Sequence, residues 1–390
     1  MKLVQLKLIL LNKMKKILPV VPIIDTEGPT TGRADMVDSW ESLGELVNTL
    51  TGDLRNSLRD SFDNPLIINW FLLDWTGYSK NDAEFKKRGH DIRLHAVWDF
   101  YRKSILSDDT IKVTKDGLYW HYHHPPLDGA WGWNKNWNDS KWYEYILGKL
   151  ILNHDFFPTL YRAGKYVETN DNSHWLEKWI PFDYSSISPV KRDFCDWSEA
   201  TTSWVPYNPS FENYQHAGSM KRFVARSLPV AAKGGSGSLD IKEVESAFNE
   251  IKQGRSAIFS FHTHDYYRSI LDEFSDTHRI LNEISAKVGI PWVYSNALEA
   301  LRPHTKLALD KLELIVEKLD NNEFKIIANH EMFCEQPFVI AEDKVGNVER
   351  IDTTRINNLT YQVTIPKGSS RIGVGANDIY GNYITKNISL

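Results

Sequence analysis

The sequence predicts an α/β domain that is followed by a smaller all-β domain. Short apolar, β-branched runs over residues 18–24 and 66–73 are typical of buried strands. Amphipathic helical segments separate such runs through most of the chain, and strands that alternate with helices indicate a mainly parallel sheet. Beyond Arg302, short runs separated by turn signals such as Gly346-Asn347 replace this pattern. The change indicates a small antiparallel β-sandwich.

The individual elements follow from periodicity and from capping signals. Helical spacing predicts helices over residues 36–50, 92–106, 240–252 and 266–288. The third of these can be capped by Asp240, with Glu243 completing a capping box, and Gly254 ends it. Further strands are predicted over residues 257–261, 292–294, 324–328, 338–341, 361–365, 371–376 and 383–388. We therefore expect the α/β domain over residues 18–302 and the sandwich over residues 310–390.

Composition excludes several classes of protein. A chain of 390 residues is long enough for two domains, and its formal net charge of −5 offers no basic face for nucleic acid. Cys195 and Cys334 lack Cys-x-x-Cys partners, which argues against a disulfide framework and a cysteine zinc site. No apolar run reaches the length of a membrane span. Residues 1–17 are basic and apolar but lack an Ala-x-Ala-like cleavage site, so we expect a cytoplasmic rather than a secreted protein.

Two acids, Asp25 and Glu27, follow the first predicted strand directly. Open α/β sheets and barrels gather their catalytic groups at the carboxyl ends of strands. Two acids that are one residue apart can divide the work, because one can bind a metal while the other takes a proton. The pair therefore predicts a catalytic position at the end of this strand.

Three of the 13 histidines lie within four residues, at His121, His123 and His124. In an extended segment His121 and His123 point to the same side, so both imidazoles can reach one cation. Two histidines and one carboxylate are a set that binds zinc and leaves positions open for water and substrate. The ligand pair is either His121 with His123 or His121 with His124, and strand alternation favours His123.

Three later segments contain residues suited to fixing charge or transferring protons. Arg162 precedes small residues and can lie behind a carboxylate and orient it. Asp183 follows in an aspartate–aromatic segment. His262 ends the apolar strand predicted over residues 257–261 and is well placed for acid–base chemistry, and His264 competes with it for that role.

These segments resemble, in their order along the chain, the motifs of the polysaccharide deacetylases, the NodB-like carbohydrate esterase family 4. The residues that carry the resemblance are Asp25, Glu27, His121, His123, Arg162, Asp183 and His262. The resemblance covers about residues 18–300 and implies a deformed (β/α) barrel of seven strands, which the sandwich follows.

The resemblance also implies a role for each residue of the site. It makes Asp25 the general base, and it makes Glu27, His121 and His123 the metal ligands. It further makes His262 the general acid, with Arg162 orienting Asp25 and with Asp183 belonging to the catalytic set. The metal would be Zn²⁺, although Co²⁺, Ni²⁺ or Fe²⁺ also suit two histidines and a carboxylate.

The chain departs from the common pattern of this family at three places. It has Asp-x-Glu where many members have adjacent acids, Trp120 where the first histidine of a His-x-x-x-His-Pro motif would stand, and two late histidines instead of one. These departures are similar to a divergent subgroup associated with surface-polysaccharide biosynthesis.

Aromatic side chains near the motifs are expected to contact a sugar. Stacking on sugar rings is a common use of aromatic residues in a binding cleft. The predicted substrate contacts are Trp120, Tyr161, Trp197 and His264.

The sequence therefore predicts metal-dependent hydrolytic deacetylation of an N- or O-acetylated sugar or oligosaccharide. Two alternatives stay open at this stage. One is a glycoside hydrolase or another metal-dependent C–N hydrolase on a related barrel, although a double-displacement glycosidase would need two close acids and no metal. The other is a glycan-binding protein that has little or no activity. The sequence leaves the sugar, the acyl group and the oligomeric state open.

Overall fold

A computed structural model describes residues 16–30, 34–73, 95–123, 140–230, 239–320 and 322–390. The residues 1–15, the predicted start of the helix at 92–94 and the alternative ligand His124 lie outside the described residues. The helices are α1 (Trp40–Thr49), α2 (Ala96–Ser104), α3 (Asp108–Thr114), α4 (Ser140–His154), α5 (Asn170–Trp179), α6 (Ile241–Lys252), α7 (Ile270–Val288) and α8 (Ala297–Thr305). A π-helical turn (Leu50–Leu54) and a short helical segment (Arg55–Ser57) extend α1, and a 3₁₀ turn spans Gly164–Tyr166.

The strands of the α/β domain are β1 (Leu18–Thr26), β2 (Asn69–Leu73), β3 (Gly117–Tyr122), β4 (Leu160–Ala163), β5 (Phe182–Ser186), β6 (Lys191–Arg192), β7 (Cys195–Asp196), β8 (Phe223–Arg226), β9 (Leu228–Pro229), β10 (Phe259–His264) and β11 (Trp292–Tyr294). Those of the C-terminal part are β12 (Leu314–Asp320), β13 (Glu323–Ala328), β14 (Phe338–Asp343), β15 (Val348–Ile351), β16 (Thr354–Asn357), β17 (Thr360–Thr364), β18 (Ser369–Asn377) and β19 (Tyr383–Ser389). Strands and helices thus alternate through most of the α/β domain, as the sequence predicts, but β5 to β9 follow one another without a helix between them. Beyond α8 the described elements are all strands.

The α/β domain is built on a parallel sheet that almost closes into a barrel. Its strand order is β8-β5-β4-β3-β2-β1-β10-β9, and the two ends of this path are joined by a single residue, Ser227. The backbone N–H of Ser227 donates to the carbonyl of Ser186. The strand count differs from the predicted seven, because eight strands lie on this path and β11 pairs with β1 as a ninth among the described residues. The excess arises because the closing strand is split at Ser227 and because β11 is an additional short strand.

The inner face of the barrel contains an apolar cluster and the polar residues of the candidate site. Asp25 pairs in register with Phe71, and Phe71 pairs with Tyr119. Since side chains alternate along a strand, Tyr119 and His121 share this face, and His121 pairs in register with Arg162. Apolar residues fill the barrel below, and the charged and polar groups lie above them at the carboxyl ends of the strands. The inner apolar residues are Val21, Ile23, Phe71, Tyr119, Leu160, Phe182, Tyr184, Ala225, Ile258, Ala297, Ala300 and Leu301.

The outer face of the barrel packs against the helices. Trp70, Trp120 and Tyr161 alternate with inward-facing residues and are fully buried in the largest apolar cluster, together with residues of the surrounding helices. Tyr143 of α4 lies edge-on to Trp120 with their ring centroids 6.3 Å apart. Helix packing therefore accounts for the burial of these aromatic side chains.

Two predicted helices begin later than their periodicity suggests. The first begins at Trp40, where the side chain of Ser39 accepts a hydrogen bond from the backbone N–H of Ser42. Met36 instead forms an isolated antiparallel bridge with Tyr267, which also delays the start of α7 to Ile270. A tertiary contact thus replaces the first turn of both helices.

The C-terminal part is a sandwich of two antiparallel sheets. Among its described residues the sheets have the orders β12-β13-β17-β16 and β15-β14-β18-β19. Side chains from both sheets meet in one core, for example Phe324 and Ile326 from one sheet and Val339 and Val374 from the other. The predicted β-sandwich is therefore present, and its eight described strands include the five that the sequence indicated.

The sandwich docks directly on the α/β domain through α4 and the loops beside it. A Cβ atom on Gly148 would lie 2.6 Å from the side chain of Ile340, so the two domains approach closely here. The Lys149 ammonium donates to a Glu342 carboxylate oxygen at 2.8 Å. The buried Asn377 side chain donates to the carbonyls of Pro158 at 2.7 Å and Trp179 at 2.8 Å. These contacts join the two domains into one packed body.

None of the helices in the described part of the chain is both long enough and apolar enough to cross a membrane.

Replacing Asn377 with Ala should destabilise the whole protein, because two buried carbonyls would lose their donor. We expect the free energy of unfolding to fall by about 2 kcal/mol or more. The exposed Asn358 provides the matched control, and Asn358→Ala should change stability by less than about 0.5 kcal/mol. Urea denaturation followed by tryptophan fluorescence measures both effects, and equal stabilities of the two variants would contradict the role of Asn377.

Candidate metal centre

Three side chains at the carboxyl ends of the strands form a group that could hold a metal ion. They are Glu27, His121 and His123, and one potential ligand atom from each lies within 4.8 Å of the others. His123 Nε2 is 3.0 Å from Glu27 Oε1 and 3.1 Å from His121 Nε2. The distance from His121 Nε2 to Glu27 Oε1 is 3.5 Å. The two histidines are buried and Glu27 is half-buried.

These distances fit a tetrahedral cation. Bonds of about 2.0–2.1 Å in a tetrahedron place neighbouring ligand atoms about 3.3–3.4 Å apart. The three observed separations are 3.0, 3.1 and 3.5 Å, so the ligand atoms are already spaced for one ion. Two imidazole nitrogens and a carboxylate are also the donor types that such a cation prefers.

A backbone contact fixes which nitrogen of His121 is available to bind a metal ion. Its Nδ1 lies 3.1 Å from the carbonyl oxygen of Arg162 on the neighbouring strand. A carbonyl can only accept a hydrogen bond, so Nδ1 carries the proton and Nε2 keeps its lone pair. Metal-binding histidines are commonly oriented in this way by a second hydrogen bond.

Glu27 is held in place by Asp265, which lies just beyond β10. The Asp265 carboxylate accepts the backbone N–H groups of Glu27 at 2.9 Å and Gly28 at 3.2 Å, and the Tyr101 hydroxyl at 2.8 Å. Burial acts to raise the pKa of Glu27, but the adjacent imidazoles of His123 and His121 outweigh it and hold the pKa well below its usual range. Glu27 is therefore a carboxylate at neutral pH.

A buried ion pair lies beside this group. Arg162 Nε donates to both carboxylate oxygens of Asp25, at 2.7 and 2.9 Å, and both side chains are almost fully buried. Asp25 Oδ1 is 3.8 Å from His121 Nδ1. Arg162 Nη1 also donates to the carbonyl of Tyr184, which fixes the guanidinium against β5. The structure thus brings Asp25 and Arg162 next to the candidate metal residues.

The two late histidines have different surroundings. His262 is fully buried, with Nδ1 3.1 Å from the Ser227 hydroxyl and Nε2 3.1 Å from the Tyr166 hydroxyl. Burial, with the positive charge of Arg162, lowers the pKa of His262 well below its usual value, so its ring is neutral at neutral pH. His264 is partly exposed, and its Nε2 lies 3.6 Å from Glu27 Oε1. Burial lowers the pKa of His264 to about 4.

Asp183 lies in a separate buried network. Its carboxylate accepts hydrogen bonds from the Arg222 guanidinium and from the backbone N–H of Ser185. Arg222 also donates to Glu168 at 2.6 Å. Asp183 is in register with Tyr161, so strand alternation turns its side chain away from the face that carries Arg162. The structure therefore does not bring Asp183 to the candidate metal residues, and its catalytic role stays a prediction without structural support.

The four predicted sugar contacts differ in whether they lie near the candidate metal residues. Trp120 and Tyr161 are fully buried on the outer face of the barrel, with ring centroids 5.5 Å apart. Trp197 is also buried, and its Nε1–H donates to the carbonyl of Tyr166 at 2.9 Å. Of the four predicted residues, only His264 lies against the candidate metal group. Packing therefore explains the other three without a sugar.

Sequence reasoning missed four residues that position this site, namely Gly164, Tyr166, Ser227 and Asp265. Asp265 follows His264 directly in the sequence, so its position beside two candidate histidines was an available signal. Gly164 closes the segment that contains Arg162, and a Cβ there would lie 2.3 Å from His123 Cδ2. Tyr166 and Ser227 had no local signal, because only the folded chain brings them to His262.

Comparisons with known proteins do not assign the chain to a family. No family model matches it, and no curated protein matches it. A solved structure of a bacterial fucosidase with an inhibitor is 9% identical, with 97% of this chain and 94% of that chain covered and a TM-score of 0.31. An engineered protein is 8% identical, with 90% of this chain and 69% of that chain covered and a TM-score of 0.20. Likenesses this weak carry no argument about fold or function.

Replacing Gly164 with Ala should weaken metal binding, because the added Cβ would push the His123 ring out of the group. We expect the affinity for Zn²⁺ to fall by about 10-fold or more. Gly52 is the matched control, since a Cβ there meets nothing within 4 Å and Gly52→Ala should bind normally. Competition with a chromogenic chelator measures both affinities. Unchanged affinity in Gly164→Ala would show that His123 is not a ligand.

Proposed function

We propose that this protein is a metal-dependent carbohydrate deacetylase that hydrolyses an N- or O-acetyl group on a sugar or oligosaccharide. The observation that carries the proposal is the buried Asp25–Arg162 pair next to Glu27, His121 and His123. A proton acceptor beside a cation site with open positions is the arrangement that hydrolysis of an acyl group requires. The order of these residues along the chain, which resembles the polysaccharide deacetylases, supports the same function.

Glu27, His121 and His123 would hold the cation, for which we propose Zn²⁺, with Co²⁺, Ni²⁺ or Fe²⁺ as other ions that suit this set. A divalent cation at this position supplies Lewis acidity, which polarises an acyl carbonyl and makes a water molecule more acidic. The Nδ1–H of His121 and the backbone N–H groups around Glu27 are satisfied by Arg162 and Asp265, so the ligands are oriented before any ion binds.

Asp25 is proposed to take the proton from the attacking water. Because Arg162 Nε contacts both of its oxygens, the carboxylate has one fixed orientation. Each carboxylate oxygen still has a free lone pair to accept a proton. His262, on the other side of Arg162, is proposed to serve the departing amine or alcohol, which must gain a proton as the acyl bond breaks.

A cavity of about 750 Å³ in the same domain is large enough for a sugar. Its walls include Arg192 and Phe194, and the Arg192 guanidinium lies 5.4 Å from the centre of the Tyr166 ring. Tyr166 in turn contacts His262 and lies 5.5 Å from the Arg162 guanidinium. We propose that the glycan occupies this cavity, with its acetyl group directed towards Arg162. A role in surface-polysaccharide metabolism in the cytoplasm is part of the same proposal.

Removing the metal and adding it back tests whether acetate release depends on a bound cation. After dialysis against a chelator, release of acetate from a panel of acetylated nucleotide-sugars and oligosaccharides should stop, because Glu27, His121 and His123 would have lost their ion. Zn²⁺ added at one equivalent should restore it. Elemental analysis of the untreated protein reports the bound metal. Acetate release that persists in the metal-free protein would contradict a metal-dependent reaction.

Replacing Asp25 with Asn should lower kcat for acetate release by about 100-fold or more, because the amide cannot accept the proton. Zn²⁺ affinity should be unchanged, since Asp25 is not among the ligands. Asp38, which is exposed and close in the sequence, offers a matched Asp38→Asn control that should keep wild-type activity. If Asp25→Asn hydrolyses the acetylated sugars at the wild-type rate, the assignment of the base is wrong.

A further inference from the structure

Tyr166 occupies a strained turn at the edge of the site. Lys165 and Tyr166 both have positive φ angles, 54° and 59°, although neither is a glycine. A non-glycine residue in this left-handed region is strained, and such strain persists only where surrounding contacts maintain it. Here Trp197 supplies one such contact through its hydrogen bond to the Tyr166 carbonyl. The turn thus holds the Tyr166 side chain in one position.

A chain of hydrogen bonds leads through the barrel to the Tyr166 hydroxyl. Ser260 Oγ donates to Ser227 Oγ at 3.0 Å, which leaves the Ser227 hydrogen free to point at His262 Nδ1, 3.1 Å away. In the tautomer in which Nδ1 accepts from Ser227, the neutral His262 ring carries its hydrogen on Nε2. That hydrogen is donated to Tyr166 Oη at 3.1 Å. The hydrogen of the tyrosine hydroxyl is then free to point away from His262.

Tyr166 is the least buried member of this series of hydrogen-bonded side chains. Its exposed fraction is 9%, whereas Ser260, Ser227 and His262 are each 0% exposed. The Tyr166 hydroxyl lies 3.1 Å from His262 Nε2, so a substrate cannot contact that nitrogen unless the hydroxyl is displaced. A proton that is delivered to the substrate from the His262 side of the site must therefore pass through the Tyr166 hydroxyl.

Two positively charged side chains lie over the ring of Tyr166. The guanidinium groups of Arg162 and Arg192 are 5.5 and 5.4 Å from its centre. Burial raises the pKa of the Tyr166 hydroxyl above its usual value, so the group is protonated at neutral pH, and the two guanidiniums act in the opposite direction by favouring the phenolate. Arg162 also binds Asp25, so the tyrosine and the proposed base lie on either side of one guanidinium.

We propose that Tyr166 is the catalytic acid of this site, and that its Oη–H protonates the leaving nitrogen or oxygen of the acetylated sugar. As the bond from the acyl carbon to the leaving atom breaks, the leaving atom takes the hydroxyl hydrogen, and the bond electrons of O–H stay on the tyrosine oxygen. The His262 Nε2–H bond and the two guanidiniums stabilise the resulting phenolate. The proton that Asp25 has removed from water later returns to the tyrosine through solvent. The inference rests on the proposed deacetylase function. It makes Tyr166, in place of His262, the group that touches the substrate.

The test compares two substrates that differ in their need for an acid. The acetylated sugar of the panel that releases acetate fastest has a leaving group that must be protonated, whereas 4-nitrophenyl acetate releases a stable anion that needs no proton. Tyr166→Phe should lower kcat on the sugar by about 100-fold or more and change kcat on 4-nitrophenyl acetate by less than about 3-fold. KM for the sugar and the affinity for Zn²⁺ should stay at their wild-type values.

Tyr294→Phe is the matched control, because it removes a tyrosine hydroxyl that lies 2.9 Å from His278 Nδ1 in another part of the domain. It should leave both activities unchanged. Ser227→Ala is a second variant that keeps the phenol and the strained turn but removes the hydrogen that points at His262 Nδ1. It should also lower kcat on the sugar more than kcat on 4-nitrophenyl acetate. It therefore tests the role of Tyr166 if Tyr166→Phe does not fold.

Equal losses on the two substrates, in whichever of these variants folds, would overturn the assignment of Tyr166 while leaving the deacetylase function intact. A wild-type protein that binds Zn²⁺ but releases acetate from neither substrate would overturn the deacetylase function, and the assignment of Tyr166 with it.

Discussion

The buried guanidinium of Arg162 is the group on which the site depends. Its Nε binds both oxygens of Asp25, its Nη1 binds the carbonyl of Tyr184, and its own backbone carbonyl accepts the hydrogen bond from His121. One residue of β4 therefore orients the proposed base, the metal-facing nitrogen of a histidine and, through ring contact, Tyr166. A buried charge of this kind is tolerated only because its partner is present, and removal of one partner of such a pair typically costs about 3–5 kcal/mol.

The barrel decides which side chains can meet this guanidinium. Neighbouring strands pair His121 with Arg162 and Trp120 with Tyr161, so each pair lies on one face of the sheet. The polar pair points into the barrel mouth and the aromatic pair packs under the helices. Residues adjacent in the sequence thus have opposite surroundings, and the same alternation separates Asp183 from Arg162.

The sandwich and the barrel are held together by side-chain contacts as well as by the connecting segment. Gly148 lets Ile340 approach α4, and Asn377 satisfies two carbonyls of the α/β domain. The α4 helix that receives the sandwich also covers Trp120 on β3, the strand that contains His121. The C-terminal domain therefore supports the helix layer that encloses the barrel, whatever else it binds.

Local pattern determined a large part of this protein. The alternation of strands and helices predicted the α/β domain, the change of pattern after Arg302 predicted the sandwich, and two-residue spacing predicted that His121 and His123 would share a face. All three depend on interactions between residues near in sequence, where period and side-chain direction are set by backbone geometry. The nearness of Glu27 to the histidines could be anticipated only as far as strand ends meet at one edge of a parallel sheet.

Only the tertiary structure decided the remaining contacts. Asp265 reaches the backbone of Glu27 from 238 residues away, and His262 meets Tyr166 across 96 residues and Ser227 across 35. No periodicity encodes such pairs, because they depend on strand order, on where the barrel closes and on the strained turn before α5. The sequence alone therefore indicated the candidate ligands and the proposed base, whereas the fold decided which groups orient them and which hydroxyl covers His262.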